Sequence, residues 1–350
     1  MVVELIALRN AHPRWGARKL IWPLERGGAR PIPSERKVNR ILERTGLIVR
    51  RRVRSKAQPP LHKPDATAEK SNALWTADYK GWWRTGDFKR CEPLTVRDQF
   101  TRFVLAAHVC RSPELKESIR LFERLFELYG VPERILTDNG SPFVAMQSRF
   151  GLTRLSAWWI ALGIEPVRTR RATPVDNGAH ERLHRDIALE VEAVGAGTPD
   201  EQQRVLDAWR ADFNNNRPHE SLGMKTPAQV YKPNAKSYAG AKVELVYPER
   251  MLVRTVSGSG SIKLGSGMVQ LTSALVGYPV AIDPQTGPPH EVWFAQHRLG
   301  WINLDANPPA VTAEPPVQAC PEKDDPTRHQ SGYKPDPRNS LTHTDLLPVS

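Results

Sequence analysis

At 350 residues the chain is long enough for two or three domains, and its formal net charge is +12. Almost all of the excess lies in residues 1–56, which hold fifteen basic residues against four acidic ones; solubility alone does not need such one-sided clustering, which favours a segment that meets a polyanion. The cysteines Cys91, Cys110 and Cys320 are few and lack CxxC spacing, which argues against a disulfide framework and a cysteine zinc site. With no long apolar run or signal-type stretch, no membrane role is expected, and a cytoplasmic, nucleoid-associated location is.

In chain order, residues 14–28 read as a short helix that Pro23 should kink or end. Ser34 is a candidate N-cap for a second helix, in which Val38, Ile41 and Leu42 form an apolar stripe and Gly46 is the stop. Arg36, Lys37, Arg40 and Arg44 lie off that stripe. Residues 1–50 thus read as a helix-turn-helix-like α segment with a basic exposed face. Residues 51–70 are basic, then proline-bearing and aperiodic, and read as a linker. The run Arg50, Arg51 and Arg52 beside the helical segment favours phosphate contact over a solvated linker.

From about Asn72 the texture becomes α/β. Strand-like runs appear at Leu74–Trp83, Pro93–Arg97 and Arg102–Val109, with Asp98-Gln99-Phe100-Thr101 as a turn. Leu115, Ile119, Phe122 and Phe126 then recur at helical spacing up to Gly130. A strand ending in Asp138, a helix over Leu155–Leu162, a strand over Ile164–Arg168 and helices at about 177–194 and 199–216 complete a core spanning 71–235. After Tyr238, short runs at Val243–Val246, Arg250–Val256, Ser261–Leu264, Met268–Leu271, Val280–Ile282, Glu291–Phe294 and Gly300–Leu304 predict a small β-barrel over 240–306. Residues 307–350 are proline-rich and polar, and are expected to be a disordered tail.

Three carboxylates stand in settings that suit metal binding. Asp78 lies in a β-type run, Asp138 where a buried strand meets the turn Asn139-Gly140-Ser141-Pro142, and Glu181 in the first turns of a helix. Two strand-borne aspartates and a helix-borne glutamate can converge on hard cations, which take oxygen ligands and activate phosphodiester chemistry. Asp98 suits the hairpin turn better than a metal, and Asp176 suits a helix-entry cap. His180 and His184 flank Glu181 but are poor ligands for Mg²⁺, so they read as DNA-facing or packing residues. His219 is read as fixing the loop after its helix, and Trp158 and Trp159 as core.

The motifs Thr137-Asp138-Asn139-Gly140-Ser141-Pro142-Phe143 and Asn177-Gly178-Ala179-His180-Glu181-Arg182-Leu183-His184-Arg185 resemble those of bacterial insertion-sequence transposases with a retroviral-type integrase (DDE) catalytic core. So do Asn214-Asn215-Asn216-Arg217-Pro218-His219-Glu220-Ser221-Leu222-Gly223, Thr226-Pro227-Ala228-Gln229-Val230-Tyr231 and Pro13-Arg14-Trp15-Gly16-Ala17-Arg18-Lys19-Leu20. Together they cover roughly residues 12–305, and their order makes them specific as a set. The resemblance implies a ribonuclease-H-like catalytic core, a catalytic triad of Asp78, Asp138 and Glu181 and two bound Mg²⁺ or Mn²⁺ ions. It also implies double-stranded DNA as partner, at element ends and target, and a homo-oligomer assembled on that DNA. Relatives commonly carry another helix-turn-helix upstream, so the N-terminal segment is expected to be incomplete. Asp138 and Glu181 are separated by 42 residues, and an insertion over Met146–Arg154 accounts for this length. Where many relatives place a DNA-contacting basic residue, seven positions past the glutamate, this chain has Ala188; Arg185, one turn from Glu181, can substitute. The alternative is a non-catalytic DNA-binding protein derived from a transposase; the intact triad disfavours it.

Overall fold

The computed structural model describes residues 1–28, 31–48, 67–145, 148, 150–169, 178–234, 236–240, 243–265, 267–304, 306 and 309–312. Three helices open the chain, α1 (Val2–Ala11), α2 (Ala17–Arg26) and α3 (Glu35–Arg44). They bury Leu5, Leu20, Leu24, Val38 and Leu42 against one another in a core of their own. Ser34 caps α3 by accepting the Lys37 N–H at 3.3 Å, and Gly46, at φ +70°, follows its end. Arg36, Lys37, Arg40 and Arg44 are exposed on the outer side of α3. Arg50, Arg51 and Arg52, with most of the 51–70 linker, lie outside the described residues.

Two features depart from the sequence reading. α1 is an additional helix, whose apolar residues Val2, Val3, Leu5, Ile6 and Leu8 follow no clean helical stripe. α2 continues through Pro23 to Arg26. Proline removes one backbone bond, while fully buried Leu24 keeps the last turn in the core.

The centre of the molecule comprises β1 (Leu74–Tyr79), β2 (Trp83–Arg84), β3 (Arg90–Asp98), β4 (Val104–Cys110), α4 (Leu115–Tyr129), β5 (Arg134–Thr137), α5 (Arg154–Ala161), β6 (Glu165–Arg168), α6 (Gly178–Ile187), α7 (Pro199–Asn215) and the short α8 (Pro227–Val230). The six strands form one sheet. β1 is central, antiparallel to β3 and parallel to β5; β2 and β4 pair with β3, and β6 lies parallel beyond β5. On one face, α4 and α5 bury Phe122, Phe126, Leu155 and Trp159 against Trp75, Leu94 and Val96. On the other, α6 and α7 bury Leu183, Ile187, Leu206 and Phe213 against Val104 and Ala107. Four antiparallel strands joined to two parallel ones, between two helical layers, make this a mixed α/β core. Gly130 ends α4 at φ +79°, and a Cβ there would lie 2.8 Å from the Asn234 carbonyl oxygen; both the turn and the close approach need glycine. Beyond α6, a π-helical turn, Ala188–Glu192, carries the chain toward α7.

The C-terminal part is built from β7 (Leu252–Thr255), β8 (Ser261–Leu264), β9 (Gly267–Gln270), β10 (Pro279–Asp283), β11 (His290–Phe294), β12 (His297–Ile302) and β13 (Val311–Thr312). They form a five-stranded sheet, β13-β12-β11-β10-β7, and a β8–β9 hairpin around one core. That core includes Ala157, Ile160 and Ala161 of α5, so the β-rich part packs on the α/β core. The strand expected at Val243–Val246 is absent: Val243 and Leu245 pack singly against this core, and Val246 is 86% exposed. Within the stretch expected as tail from 307, Val311 is buried and pairs with Ile302. Residues 313–350, like 307–308, lie outside the described residues. No helix among the described residues is long and apolar enough to cross a membrane.

Candidate active site

The sheet register places two carboxylates side by side. Ala77 pairs with Thr137 across the parallel β1–β5 ladder, so Asp78 and Asp138 follow at the same end of neighbouring strands, about 4.8 Å apart in the hydrogen-bonding direction. Both are half-buried, whereas the residues just before them are buried; the charges begin where the strands leave the core. The turn after β5 holds Asp138. Gly140 N–H donates to its Oδ1 at 3.1 Å, and a Cβ on Gly140 would lie 2.9 Å from its Oδ2. Asn139 donates to the Thr169 carbonyl at 2.9 Å, tying that turn to the end of β6.

Glu181 projects from the first turn of α6 and is exposed. The residues that set its helix are His180 and His184, one turn apart on the side facing the sheet. His180 Nδ1 lies 2.9 Å from the Thr76 hydroxyl, and its Nε2 lies 2.6 Å from the Thr95 hydroxyl. His184 Nε2 lies 2.8 Å from that same Thr95 oxygen, and its Nδ1 lies 4.0 Å from Asp78 Oδ2. Thr95 is the register partner of Asp78 and donates its own proton to the Asp78 carbonyl at 3.0 Å. Both imidazoles must therefore donate Nε2–H to Thr95, and His180 Nδ1 accepts from Thr76. The rings are neutral. Burial holds His180 well below the usual histidine range and His184 down to about 3, with further repulsion on His184 from Lys80 and Arg97. These histidines pack the glutamate helix onto the strand pair that carries Asp78.

The α6 layer is fixed at its far end by ion pairs. Arg217 meets Asp186 at 2.8 Å and Glu190 at 3.4 Å. Lys80, two residues past Asp78, pairs with Glu192 in the π-helical turn. The N-terminal helices reach the same layer through Arg14–Asp186 at 3.6 Å and His12–Asp212 at 3.7 Å.

Asp98 serves the hairpin. Its carboxylate accepts the Asn72 N–H at 2.7 Å, the Thr101 N–H at 2.7 Å and the Thr101 hydroxyl at 2.5 Å. His219 fixes the loop after α7, its backbone bonded to Lys225, Leu222 and Met224. Trp158 and Trp159 are core. Arg185 is exposed on α6; Asp176 lies outside the described residues, as do Met146, Gln147 and Arg149 of the expected insertion.

Asp78 and Asp138 stand at the same end of neighbouring strands, and Glu181 is carried by the helix whose His184 packs against Thr95 and Asp78. Among the described residues, the group with three donor atoms mutually within 4.8 Å is His108, Cys110 and Glu117, on the α4 face. That group is satisfied internally, with His108 to Glu117 at 3.4 Å and the Cys110 thiol donating to the His108 carbonyl at 3.7 Å. Burial pushes that thiol up to about 12. The Thr76–His180–Thr95–His184 cluster escaped the sequence reading. Its signal is faint: two histidines at i and i+4 bracketing the glutamate, and threonines at alternate positions on strands whose pairing sequence alone does not reveal.

Two models, both described as integrase core domain, match residues 68–174 and residues 162–227. The 39.2-kDa protein of insertion element IS476 from Xanthomonas euvesicatoria is 27% identical over 227 residues, covering 65% of this chain and 63% of that protein. The chain thus spans just under two thirds of that relative's length. The 31.7-kDa protein of insertion element IS407 from Burkholderia multivorans is 25% identical over 232 residues, covering 65% of this chain and 79% of that protein. Among solved structures, the HTLV-2 integrase catalytic core domain in complex with magnesium aligns with a TM-score of 0.38 at 17% identity, over 47% of this chain and all of that one. The simian T-cell lymphotropic virus intasome in complex with PP2A regulatory subunit B56 gamma aligns with a TM-score of 0.42 at 15% identity, over 84% of this chain and 97% of that one. These sequence matches give the chain an integrase-type core over residues 68–227 and a likeness to proteins of bacterial insertion elements.

Proposed function

We propose that this chain cleaves the ends of a mobile element and joins them to target DNA, using two divalent cations held by Asp78, Asp138 and Glu181. The observation that carries this reading is the register that sets Asp78 beside Asp138 while anchoring the Glu181 helix to Thr95, the partner of Asp78. The donor set is all oxygen and open to solvent, which fits Mg²⁺ or Mn²⁺. When bound, the cations polarise the scissile phosphate and stabilise the attacking and leaving oxygens. Water attacks phosphorus at the element end and releases a 3′-hydroxyl; that hydroxyl attacks a target phosphate and displaces the target strand's 3′-oxygen. No serine or tyrosine nucleophile enters either step.

The N-terminal helices serve in this reading as a helix-turn-helix-like DNA contact through Arg36, Lys37, Arg40 and Arg44. Arg50, Arg51 and Arg52 extend it, and Arg185 meets the strand at the active corner. The C-terminal sheet and hairpin act as a small barrel, and the working form is a homo-oligomer on DNA. The test is a strand-transfer assay with the element's own ends. Asp78→Asn, Asp138→Asn and Glu181→Gln should each lose end cleavage and joining by roughly 10³-fold or more, with duplex affinity retained or slightly raised. Joining at the wild-type rate by all three variants sinks the mechanism; a wild type that binds ends yet never joins them leaves the non-catalytic alternative.

A further inference from the structure

A cavity of about 450 Å³ opens on the α6 face, lined by α2, β3, α6 and the end of α7. Five cationic side chains line it, Lys19, Arg97, Arg102, Arg182 and Arg217, against the two carboxylates Asp186 and Glu220. Both acids are engaged. Asp186 takes Arg217 at 2.8 Å and Arg14 at 3.6 Å, and Glu220 takes Arg18 at 3.4 Å. Arg102 and Arg182 have no ion-pair partner among the described residues. Arg217 is 6% exposed, and its Nε has no hydrogen-bond partner. An unmet guanidinium donor at that depth is costly, and like charges crowded in a half-enclosed space repel.

Burial and like charge act together on the lining. Burial and then Arg217 lower the Lys19 ammonium, and burial and then Arg182 lower Arg102. His219, also on the wall, is held at about 3 by burial and stays neutral, so it adds no charge. Guanidinium forks match phosphate oxygens in geometry and charge.

We infer that this cavity is a phosphate-binding site, separate from the carboxylate corner, in which Lys19, Arg102 and Arg182 neutralise the anion and Arg217 Nε completes its donors. Its position gives it a use. Arg97 lies two residues past Thr95 on β3 and Arg182 follows Glu181 on α6, so the site is built on the same two elements as the histidine cluster and Glu181. Lys19 comes from the N-terminal helices, so the anion ties that unit to the catalytic core. The phosphate is either a DNA backbone group or a free anion, and only the first source rests on the function proposed above.

The full-length protein is titrated with inorganic phosphate at constant ionic strength, with chloride as the comparison, and its melting temperature and heat of binding are followed. The expected result is a saturable response to phosphate and none to chloride, weakened about tenfold in Arg102→Gln and in Lys19→Gln. Adding a DNA duplex separates the sources: competition assigns the site to a backbone phosphate, and independent binding to a free one. Asp78→Asn should respond to phosphate as the wild type does, so failure of the catalytic reading leaves this site standing. No saturable response in the wild type, or an unchanged response in both folded variants, overturns it.

Discussion

The two faces of the central sheet differ in kind although the same strands build both. Toward α4 and α5, β1 and β3 turn Trp75, Ala77, Leu94 and Val96 into an aromatic core, with Phe122 and Trp159 edge to face at 4.8 Å. Toward α6 and α7 the alternate residues of β1 and β3 are Thr76, Asp78, Thr95 and Arg97, which add hydrogen bonds beside the apolar contacts of Val104 and Ala107. A strand's period of two makes this division possible within two strands. Burial stabilises both faces, but along β1 and β3 only the second also holds charge. Substitutions should therefore sort by face.

The largest stability effect belongs to the apolar side. Phe126 is fully buried and meets the rings of Trp75, Phe122, Trp158 and Tyr238. Phe126→Ala should cost about 3–5 kcal/mol in urea unfolding, while the folded fraction keeps its DNA affinity. A parallel loss of affinity by that fraction would mean that the faces are not independent.

The polar face should respond to pH instead. Burial depresses His184 and His219 to about 3, so between about pH 6.5 and 3 the unfolded chain binds protons that the folded one refuses. Stability is present above that window and falls as the solution is acidified. Each of these rings should forfeit about 2 kcal/mol by pH 5. The melting temperature should drop from pH 7 to 5, with a shallower slope in His184→Gln. Parallel slopes in the two proteins would show that His184 is charged in the fold.

A smaller loss is expected from Thr95→Val, which keeps shape but leaves two buried imidazole N–H groups without their acceptor, at about 1–3 kcal/mol. Because Thr95 positions α6, this variant should also slow strand transfer with little change in duplex affinity. Unchanged transfer would separate the histidine cluster from the placement of Glu181. Least of all for stability, Arg40→Gln on the exposed face of α3 should stay within about 0.5 kcal/mol, yet lower the salt slope of DNA binding by about 1. An unchanged slope would remove α3 from the DNA contact.

Much of this division is legible in the chain. The alternation in Trp75-Thr76-Ala77-Asp78 and the helical spacing of Leu115, Ile119, Phe122 and Phe126 announce elements whose local pattern matches their tertiary role. Asp78 and Asp138 stand out because a charge at the end of a buried run has few structural uses. What stayed hidden depends on partners distant in sequence. Thr95 meets His180 and His184 only after β3 pairs with β1, and Arg217 finds Asp186 and Glu190 only after α7 folds back on α6. Val243–Val246 shows the converse: a strand-like run without a pairing partner remains irregular. Asp98, a turn former by sequence, carries three hydrogen bonds in a buried setting. Asp98→Asn therefore tests hairpin stability as well as serving as a control for metal binding.

The central claim is that Asp78, Asp138 and Glu181 together hold divalent cations, and a Mg²⁺ titration read by melting temperature tests it without any DNA. Cations that bind the folded corner far better than the unfolded chain raise stability by mass action. The wild type should therefore gain melting temperature with Mg²⁺, Asp98→Asn should gain it from its lower starting point, and Asp78→Asn and Glu181→Gln should gain much less. An equal gain in the wild type and Asp78→Asn would place the metal elsewhere, with His108, Cys110 and Glu117 the next site to examine, and would contradict the account.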